Sequence, residues 1–339
     1  MSSTLASLGW DDLLAAEFAP LQHTHIPARV ARIDRGAADL RTESAELRVD
    51  VTTGQSDLAV GDWVAVDAGG IALVLRRRTA IVRASASGES RAQTLVANVD
   101  DVLVTVAAFP APRLGHIERL VALAWDSGAT PAVVVTKADL TVEPRRLLAE
   151  VSRAAPGCAV HVLSAHTGEG LEALAGYDRP GRTLCLVGRS GAGKSTLANS
   201  LVGTDQMVVS DVRQDGKGRH TTTHRELVEL PGGGVLIDTP GLRGVGVWLE
   251  EDGRARAFPE IESLAGECRF RDCGHDSEPG CAVLAAVESG AVEQRRLDSW
   301  RKLGREAEWI AARSDARLQR ARSREWRRLT VEARGRVRP

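Results

Sequence analysis

The stretch GRSGAGKS, Gly188 to Ser195, is rich in glycine and ends in a lysine and a hydroxyl. It fits G-x-x-x-x-G-K-[ST], a loop whose backbone N–H groups cradle phosphates. Gly188, Gly191 and Gly193 let the backbone wrap closely around an anion, with Arg189, Ser190 and Ala192 supplying the peptide groups between them. Lys194 is placed to reach the β- and γ-phosphates, Ser195 to ligate Mg²⁺, and Thr196 follows in the first turn of a helix. The apolar run TLCLVG before the loop predicts a strand, and KSTLANSLV after it predicts a helix. That is the context the motif requires, with the helix N-terminus facing the anion. The loop alone does not say which nucleotide it serves.

Two further motifs do. VLIDTPG ends in Asp238-Thr-Pro-Gly241, an aspartate closing an apolar strand and followed by x-x-Gly. GTPases place the Mg²⁺-side carboxylate and a γ-phosphate-sensing glycine amide in this way. Guanine is read by [NT]-K-x-D at a strand end, because a carboxylate accepts from N1–H and the exocyclic amine, donors that adenine does not present together. No such motif follows Gly241. It precedes the phosphate loop instead, as Thr136-Lys137-Ala138-Asp139, and Ser164-Ala165 closes the next predicted strand, where a backbone amide contacts the guanine carbonyl. Lysine occurs only at positions 137, 194, 217 and 302, so two of the four lysines fall where a GTP site needs them. The order along the chain is base, base, phosphate, switch, switch. A parallel sheet tolerates a cut and rejoin on its loops.

Cys268, Cys273, His275 and Cys281 lie within 14 residues and form a complete tetrahedral donor set. Three thiolates and an imidazole with no open position indicate one structural zinc ion. A disulfide reading strands one cysteine and needs an oxidising compartment. Cys158 and Cys185 sit in apolar runs and read as core residues.

These residues need a scaffold, and the pattern supplies one. The chain has 339 residues, 43% of them hydrophobic, enough for two or three cores. Residues 26–85 contain five short runs rich in β-branched residues, ARVARI, ELRVDV, DWVAV, IALVL and AIVRA, which predict a small barrel such as an OB-fold. An SH3-like barrel or a plain sheet fits the same pattern. From about residue 100, strands alternate with helices and predict a parallel α/β sheet. Ile117, Leu120, Val121 and Ala124 have helical spacing. Beyond residue 250 the chain reads as mostly helical. The implied boundaries are an extension at 1–25, a barrel at 26–90, a nucleotide-binding domain at 91–246 and a zinc-bearing helical domain at 247–339. The formal net charge of −1 hides a net of +8 over residues 301–339. A basic tail on an acidic body points to a polyanionic partner. No run of 18 apolar residues occurs, and the N-terminus lacks the basic and apolar segments of a leader, so a cytoplasmic protein without membrane partners is expected.

With barrel, permuted nucleotide domain and cysteine cluster in this order, the sequence resembles circularly permuted GTPases. Within them it is similar to the small ribosomal subunit biogenesis GTPase A family over nearly its whole length. QTLVANVDDVLVT, GKGRHTTTHREL and DTPGLRGVGVW carry the resemblance further. It implies an OB-fold, a permuted G domain and a zinc-binding helical domain. It also implies hydrolysis of GTP to GDP in late maturation of the 30S subunit, by a monomer that contacts 16S rRNA and is stimulated by the ribosome. His220 matches the family's proposed catalytic histidine, and Thr222, in preference to Thr221, is expected to ligate Mg²⁺ in the GTP state. Leu242 stands where Ras-like enzymes place a water-orienting glutamine, so intrinsic turnover is expected to be slow. A binding module gated by GTP, in which hydrolysis is incidental, is the alternative. Thr136 replaces the more common asparagine, which predicts one amide contact fewer to the base. Arg76, Arg77 and Arg78 on the barrel and Arg324, Arg327 and Arg328 in the tail are the candidate RNA contacts. The short link from the Asp238 motif to the zinc segment predicts that hydrolysis reorients the tail against the nucleotide domain.

Overall fold

The computed structural model describes residues 4–34, 36–52, 55, 57–84, 92–203, 225–238 and 251–310. Its centre is a sheet with β1 (Ile26–Asp34), β2 (Ala37–Arg41), β3 (Glu46–Asp50), β4 (Trp63–Asp67) and β5 (Gly70–Val74) at one end. β8 (Asp101–Ala107), β9 (Thr130–Thr136), β10 (Ala159–Val162), β11 (Thr183–Val187), β12 (Glu226–Glu229) and β13 (Val235–Asp238) form the other end. A separate hairpin pairs β6 (Ala80–Ala84) with β7 (Ala92–Ala97).

The strands of the first end are all antiparallel. β1 pairs with β2 along its C-terminal half and with β4 along its N-terminal half, and its register shifts between Val30 and Arg32. Such an irregularity bends a strand and lets it serve two neighbours. Ala28, Val30, Ala38, Leu40, Val64, Val66 and Ile71 close a small core inside these strands. One chain segment plugs the unit. Residues 4–25, for which the sequence pattern predicts no element, carry helix α1 (Asp12–Phe18), and Asp11 caps it by accepting from the Leu14 amide at 2.9 Å. Leu8, Leu14 and Phe18 are buried, and the Trp10 ring meets the Trp63 ring edge-on at 4.8 Å. The fully buried Arg29 guanidinium donates to the carbonyls of Leu8, Asn98 (3.0 Å) and Gly61 (3.4 Å). Burial pulls its pKa down to about 9, with Asp100 and Asp62 acting against that, so it stays charged at neutral pH.

The second end runs in the order β10-β9-β8-β11-β13-β12, parallel except for β12. A single antiparallel register, Arg32 opposite Glu226, makes the two ends one continuous sheet. Alternation sorts the side chains to two faces. Val102, Val104, Val106, Cys185, Val187 and Ile237 join the larger core, under α2 (Leu114–Asp126) and α3 (Pro144–Ala154). Leu103, Leu184, Leu186 and Leu236 face the opposite way, against Leu197 and Ala198 of α4 (Lys194–Val202). Ile117, Leu120, Val121 and Ala124 are all buried, as their spacing predicts.

The described residues from 251 onward form four helices, α5 (Glu251–Ala257), α6 (Pro259–Ala265), α7 (Ala282–Glu288) and a long helix α8 over 294–310, with an irregular loop over 266–281 between α6 and α7. α5 lies so close to α2 that a Cβ at Gly253 would stand 2.5 Å from the Ala122 carbonyl. A buried ion-pair network ties α8 to the same helix. Glu118 of α2, wholly buried, accepts from Arg295 at 2.6 Å and Arg296 at 3.0 Å. Arg296 also donates to Glu260 at 2.7 Å and to the Ala257 carbonyl at 2.9 Å, and its guanidinium lies over the Phe258 ring.

Candidate functional site

All five parallel strands end on one edge of the sheet, and that edge collects the motifs. β11 runs into the phosphate loop, β9 into Thr136-Lys137-Ala138-Asp139, β10 into Ser164-Ala165, and β13 ends on Asp238. Ligands bind beyond the carboxyl ends of strands in open α/β sheets, and at helix N-termini if they are anionic.

The phosphate loop is shaped by its glycines. Gly188 has φ +153°, and a Cβ there would come within 2.2 Å of the Thr105 carbonyl on the adjacent strand β8. No larger residue fits, so this position fixes where the chain leaves the sheet. Gly193 takes a left-handed conformation (φ 83°) and opens α4. Lys194 follows as the first helical residue, and its ammonium donates to the Gly188 carbonyl at 2.8 Å and to the Arg189 carbonyl at 2.9 Å. The lysine thus spans the loop it serves. Arg189 and Ser190 are exposed, Ala192 is buried, and Ser195 and Thr196 sit in the first turn of α4. Asp238 is 7% exposed, and its strand register sets it opposite Leu186, two residues before the loop begins.

The base motif is joined to the loop by a contact the sequence does not announce. Thr136 is buried, and its hydroxyl lies 2.7 Å from the Ala192 carbonyl, inside the phosphate loop, and 3.2 Å from the Val106 carbonyl. The sequence predicts for this residue only a weaker hold on the base. Its side chain faces the loop and holds it against β9. Lys137 adopts a left-handed backbone conformation, φ 59° and ψ 39°. Asp139 accepts from the Ser164 hydroxyl at 2.5 Å, and that bond holds its carboxyl below the ordinary aspartate range. Ser164 Oγ also accepts from the Thr167 amide at 3.2 Å, and the Ala138 amide donates to the Leu163 carbonyl at 3.1 Å. The two motifs, 25 residues apart, therefore form one acceptor surface whose charge is fixed near neutral pH. His220, Thr222, Gly241 and Leu242 lie outside the described residues.

The cysteine cluster is compact. The ligand atoms of Cys268, Cys273, His275 and Cys281 all lie within 4.8 Å of one another. The Sγ atoms of Cys268 and Cys281 are 3.8 Å apart, and His275 Nδ1 lies 3.5 and 3.4 Å from them. Zinc–thiolate bonds of about 2.3 Å in a tetrahedron imply sulfur–sulfur edges of about 3.8 Å, so the residues fit zinc. The loop between His275 and Cys281 is pinned by Glu278. Its carboxylate accepts from the amides of Gly274, Asp276 and Ser277, which pull its pKa down to about 2. The His275 ring meets Trp300 of α8 edge-on, at 5.4 Å, coupling the cluster to that helix.

The arginine candidates divide. Arg77 is a structural residue: it pairs with Asp62 at 2.7 Å and Asp57 at 2.8 Å and donates to Thr94 at 2.7 Å. Those bonds, that to Asp62 foremost, raise its pKa. Arg78 pairs with Asp11 at 2.7 Å, joining the barrel to the N-terminal segment. Only Arg76 of the three offers an exposed side chain without such a bond among the described residues. Arg324, Arg327 and Arg328 lie outside the described residues. Sequence reasoning missed Thr105, Glu118, Arg295 and Arg296, which work only through contacts made in three dimensions.

A phosphate-loop motif on a parallel sheet, with Thr136-Lys137-Ala138-Asp139 and Ser164-Ala165 on strand ends ahead of it in the chain, defines a circularly permuted P-loop nucleotide-binding protein. Comparison with known proteins is specific. A family model described as RsgA GTPase matches residues 74–248. The small ribosomal subunit biogenesis GTPase RsgA of Streptomyces coelicolor is 52% identical, over 96% of this chain and 93% of its own length. The protein of that name from Streptomyces avermitilis is 50% identical over 98% and 93%. Among solved structures, YjeQ from Thermotoga maritima is similar with a TM-score of 0.62 and 25% identity, over 84% of this chain and 98% of its own. YloQ, described as a circularly permuted GTPase, shares the fold with a TM-score of 0.59 and 21% identity, covering 84% of this chain and 96% of its own. The chain belongs to the RsgA GTPase family.

Proposed function

We propose that this protein hydrolyses GTP to GDP and phosphate, and that it does so in the late assembly of the small ribosomal subunit, in contact with 16S rRNA. The observation that carries the nucleotide assignment is the junction of base motif and phosphate loop. Asp139, aligned by Ser164, presents the acceptor that guanine requires, and Thr136 ties that motif to Ala192 of the loop. The family and the names of its members support the ribosomal assignment.

In this reading Asp139 and Lys137 hold the base and the amide region of Ser164-Ala165 meets its carbonyl. The amides from Arg189 to Thr196, with Lys194, hold the phosphates. The Lys194 ammonium, resting on loop carbonyls, exchanges those acceptors for phosphate oxygens. Ser195, Asp238 and Thr222 are the oxygen donors suited to Mg²⁺, which supplies charge neutralisation at the β- and γ-phosphates when bound. His220 positions the attacking water, and Gly241 senses the γ-phosphate. Cys268, Cys273, His275 and Cys281 hold one structural zinc. No described helix is long and apolar enough to cross a membrane. We take the protein to be a cytoplasmic monomer, with domains near 1–25, 26–90, 91–246 and 247–339. The β6–β7 ladder spans the second of these boundaries, so the barrel and the nucleotide domain share that hairpin.

The test is turnover of GTP with and without purified 30S subunits, with ATP as competitor. Acceleration by the subunit and preference for GTP are expected. Tighter binding of ATP overturns the base assignment. Leu242 favours a second reading, a module gated by GTP occupancy. That reading gains if wild-type turnover is not accelerated, and His220 is not the water-positioning residue if His220→Ala keeps full stimulation.

A further inference from the structure

Beside the phosphate loop lies a second concavity, on the α2 side. Its volume is 630 Å³, and Arg113, His116 and Arg119 of the α2 N-terminal region, Arg189 and Ser190 of the loop, and Lys302 of α8 line it. One acidic residue, Glu306, also lines it, and Arg119 pairs with it at 2.6 Å. Among the described residues, Arg113, Arg189 and Lys302 make no ion pair. Glu306 is the one acidic group among the described lining residues and Arg119 takes it up, so three cations from three separate segments converge on one space with an excess of positive charge.

Like charges gathered in this way repel one another, and an anion between them removes that cost. The helix N-terminus adds to the attraction, because the first amides of α2 have no intrahelical acceptors and Arg113, its N-cap, supplies no side-chain cap. Burial, with the charges of Arg189, Arg119 and Arg113 acting in the same direction, holds the His116 pKa below the ordinary imidazole range.

We propose that this pocket holds a phosphate group of an RNA backbone, bound by Arg113, Arg189 and Lys302. The proposal deepens, and rests on, the reading that the protein contacts ribosomal RNA. RNA is favoured over a free phosphate compound for two reasons. The three cations are exposed, as backbone tracking requires, and among the described lining residues there is no Phe, Tyr or Trp to seat a free nucleotide's base, the one ring being that of half-buried His116. α8 also leads in sequence into residues 311–339, which contain ten arginines and three acidic residues, a continuation suited to one polyanion. Because Arg189 belongs to the phosphate loop, RNA held here touches the nucleotide site directly. The pocket joins RNA docking to GTP chemistry through one side chain.

The test uses the full-length protein and the double variant Arg113→Gln/Lys302→Gln, which leaves the phosphate loop intact. Binding to purified 30S subunits and to protein-free 16S rRNA is measured across salt concentrations, with GTP affinity as the control for folding. The variant is expected to keep its GTP affinity and to bind both RNA probes roughly tenfold more weakly. Its log-affinity against log-salt slope should fall by about 0.7–0.9 for each phosphate that the variant no longer neutralises. A third probe, inorganic pyrophosphate titrated onto the GDP-saturated protein, separates the sources. Saturable pyrophosphate binding that the variant loses, with RNA binding unchanged, assigns the pocket to a free anion and overturns the RNA proposal. Unchanged binding of all three probes overturns the site altogether. If the wild type binds 16S rRNA through these residues but not the 30S subunit, the pocket stands and the subunit assignment falls. If it binds neither, both fall.

Discussion

Helix α2 meets α8 in two places, and the two contacts treat charge in opposite ways. At Glu118 the charges are buried and paired: its carboxylate takes Arg295 and Arg296, and Arg296 reaches on to Glu260 and the Ala257 carbonyl. Toward the start of α2, Arg113 faces a cavity that Arg189 and Lys302 also line, and the charges left over there, once Arg119 has taken Glu306, are exposed and of one sign. Buried opposite charges lock two elements in one register, since separating them strands a charge in a poor dielectric. Open like charges do not hold elements together; they await a ligand. The same pair of helices thus carries a joint and the proposed phosphate receptor. The joint bears on the expectation that hydrolysis reorients the cysteine-bearing segment. A swing of the whole module has to break the Glu118 network and the close α2–α5 packing at Gly253.

The comparison breaks most severely if the zinc module is dismantled. Chelation, or Cys281→Ser, removes a tetrahedral donor set from a segment with little core of its own, and structural zinc contributes about 10 kcal/mol or more. The expected result is one zinc per chain by elemental analysis of the wild type, none in the variant, and proteolytic sensitivity confined to the segment after residue 251. A variant that lacks metal and keeps protease resistance sinks the structural role. Next in size is the joint. Glu118→Gln leaves Arg295 and Arg296 beside a neutral amide, and breaking such a buried pair costs about 3–5 kcal/mol. Denaturant unfolding should show that loss, and a double-mutant cycle with Arg296→Met should show that the two changes are not additive. An additive cycle means that the pair does not form. Smallest is the receptor side. Lys302→Gln removes one of several like charges from an exposed site, so stability should change by about 0.5 kcal/mol or less. A loss comparable to that of Glu118→Gln would mean that the pocket, too, is a joint.

Much of the nucleotide site was legible because its motifs are local. Each is a few residues at the end of an apolar strand, and parallel topology alone brings the strand ends to one edge. The helical face of α2 and the cysteine spacing were legible for the same reason: short-range periodicity reports one-sided burial. Other elements were not. β2, AADLR, is too poor in β-branched residues to signal a strand, and it becomes one because β1 and β3 pair with both its edges. Residues 4–25 gave no periodic signal, yet they are fixed by Arg29 and Trp63 of the barrel. The triplet Arg76-Arg77-Arg78 reads as one basic patch, and the fold divides it, committing Arg77 to Asp57 and Asp62 and Arg78 to Asp11.

By itself the sequence determined the nucleotide class, the permuted order of its motifs and a cysteine–histidine set that could hold a metal ion, because backbone geometry and ligand chemistry act over a few residues. Tertiary structure alone decided what individual charges do. Whether an arginine binds a partner, closes a joint or faces an empty space depends on which acidic groups the fold brings within a few ångströms of it. Glu118 lies 177 residues from Arg295, and no local pattern encodes that meeting.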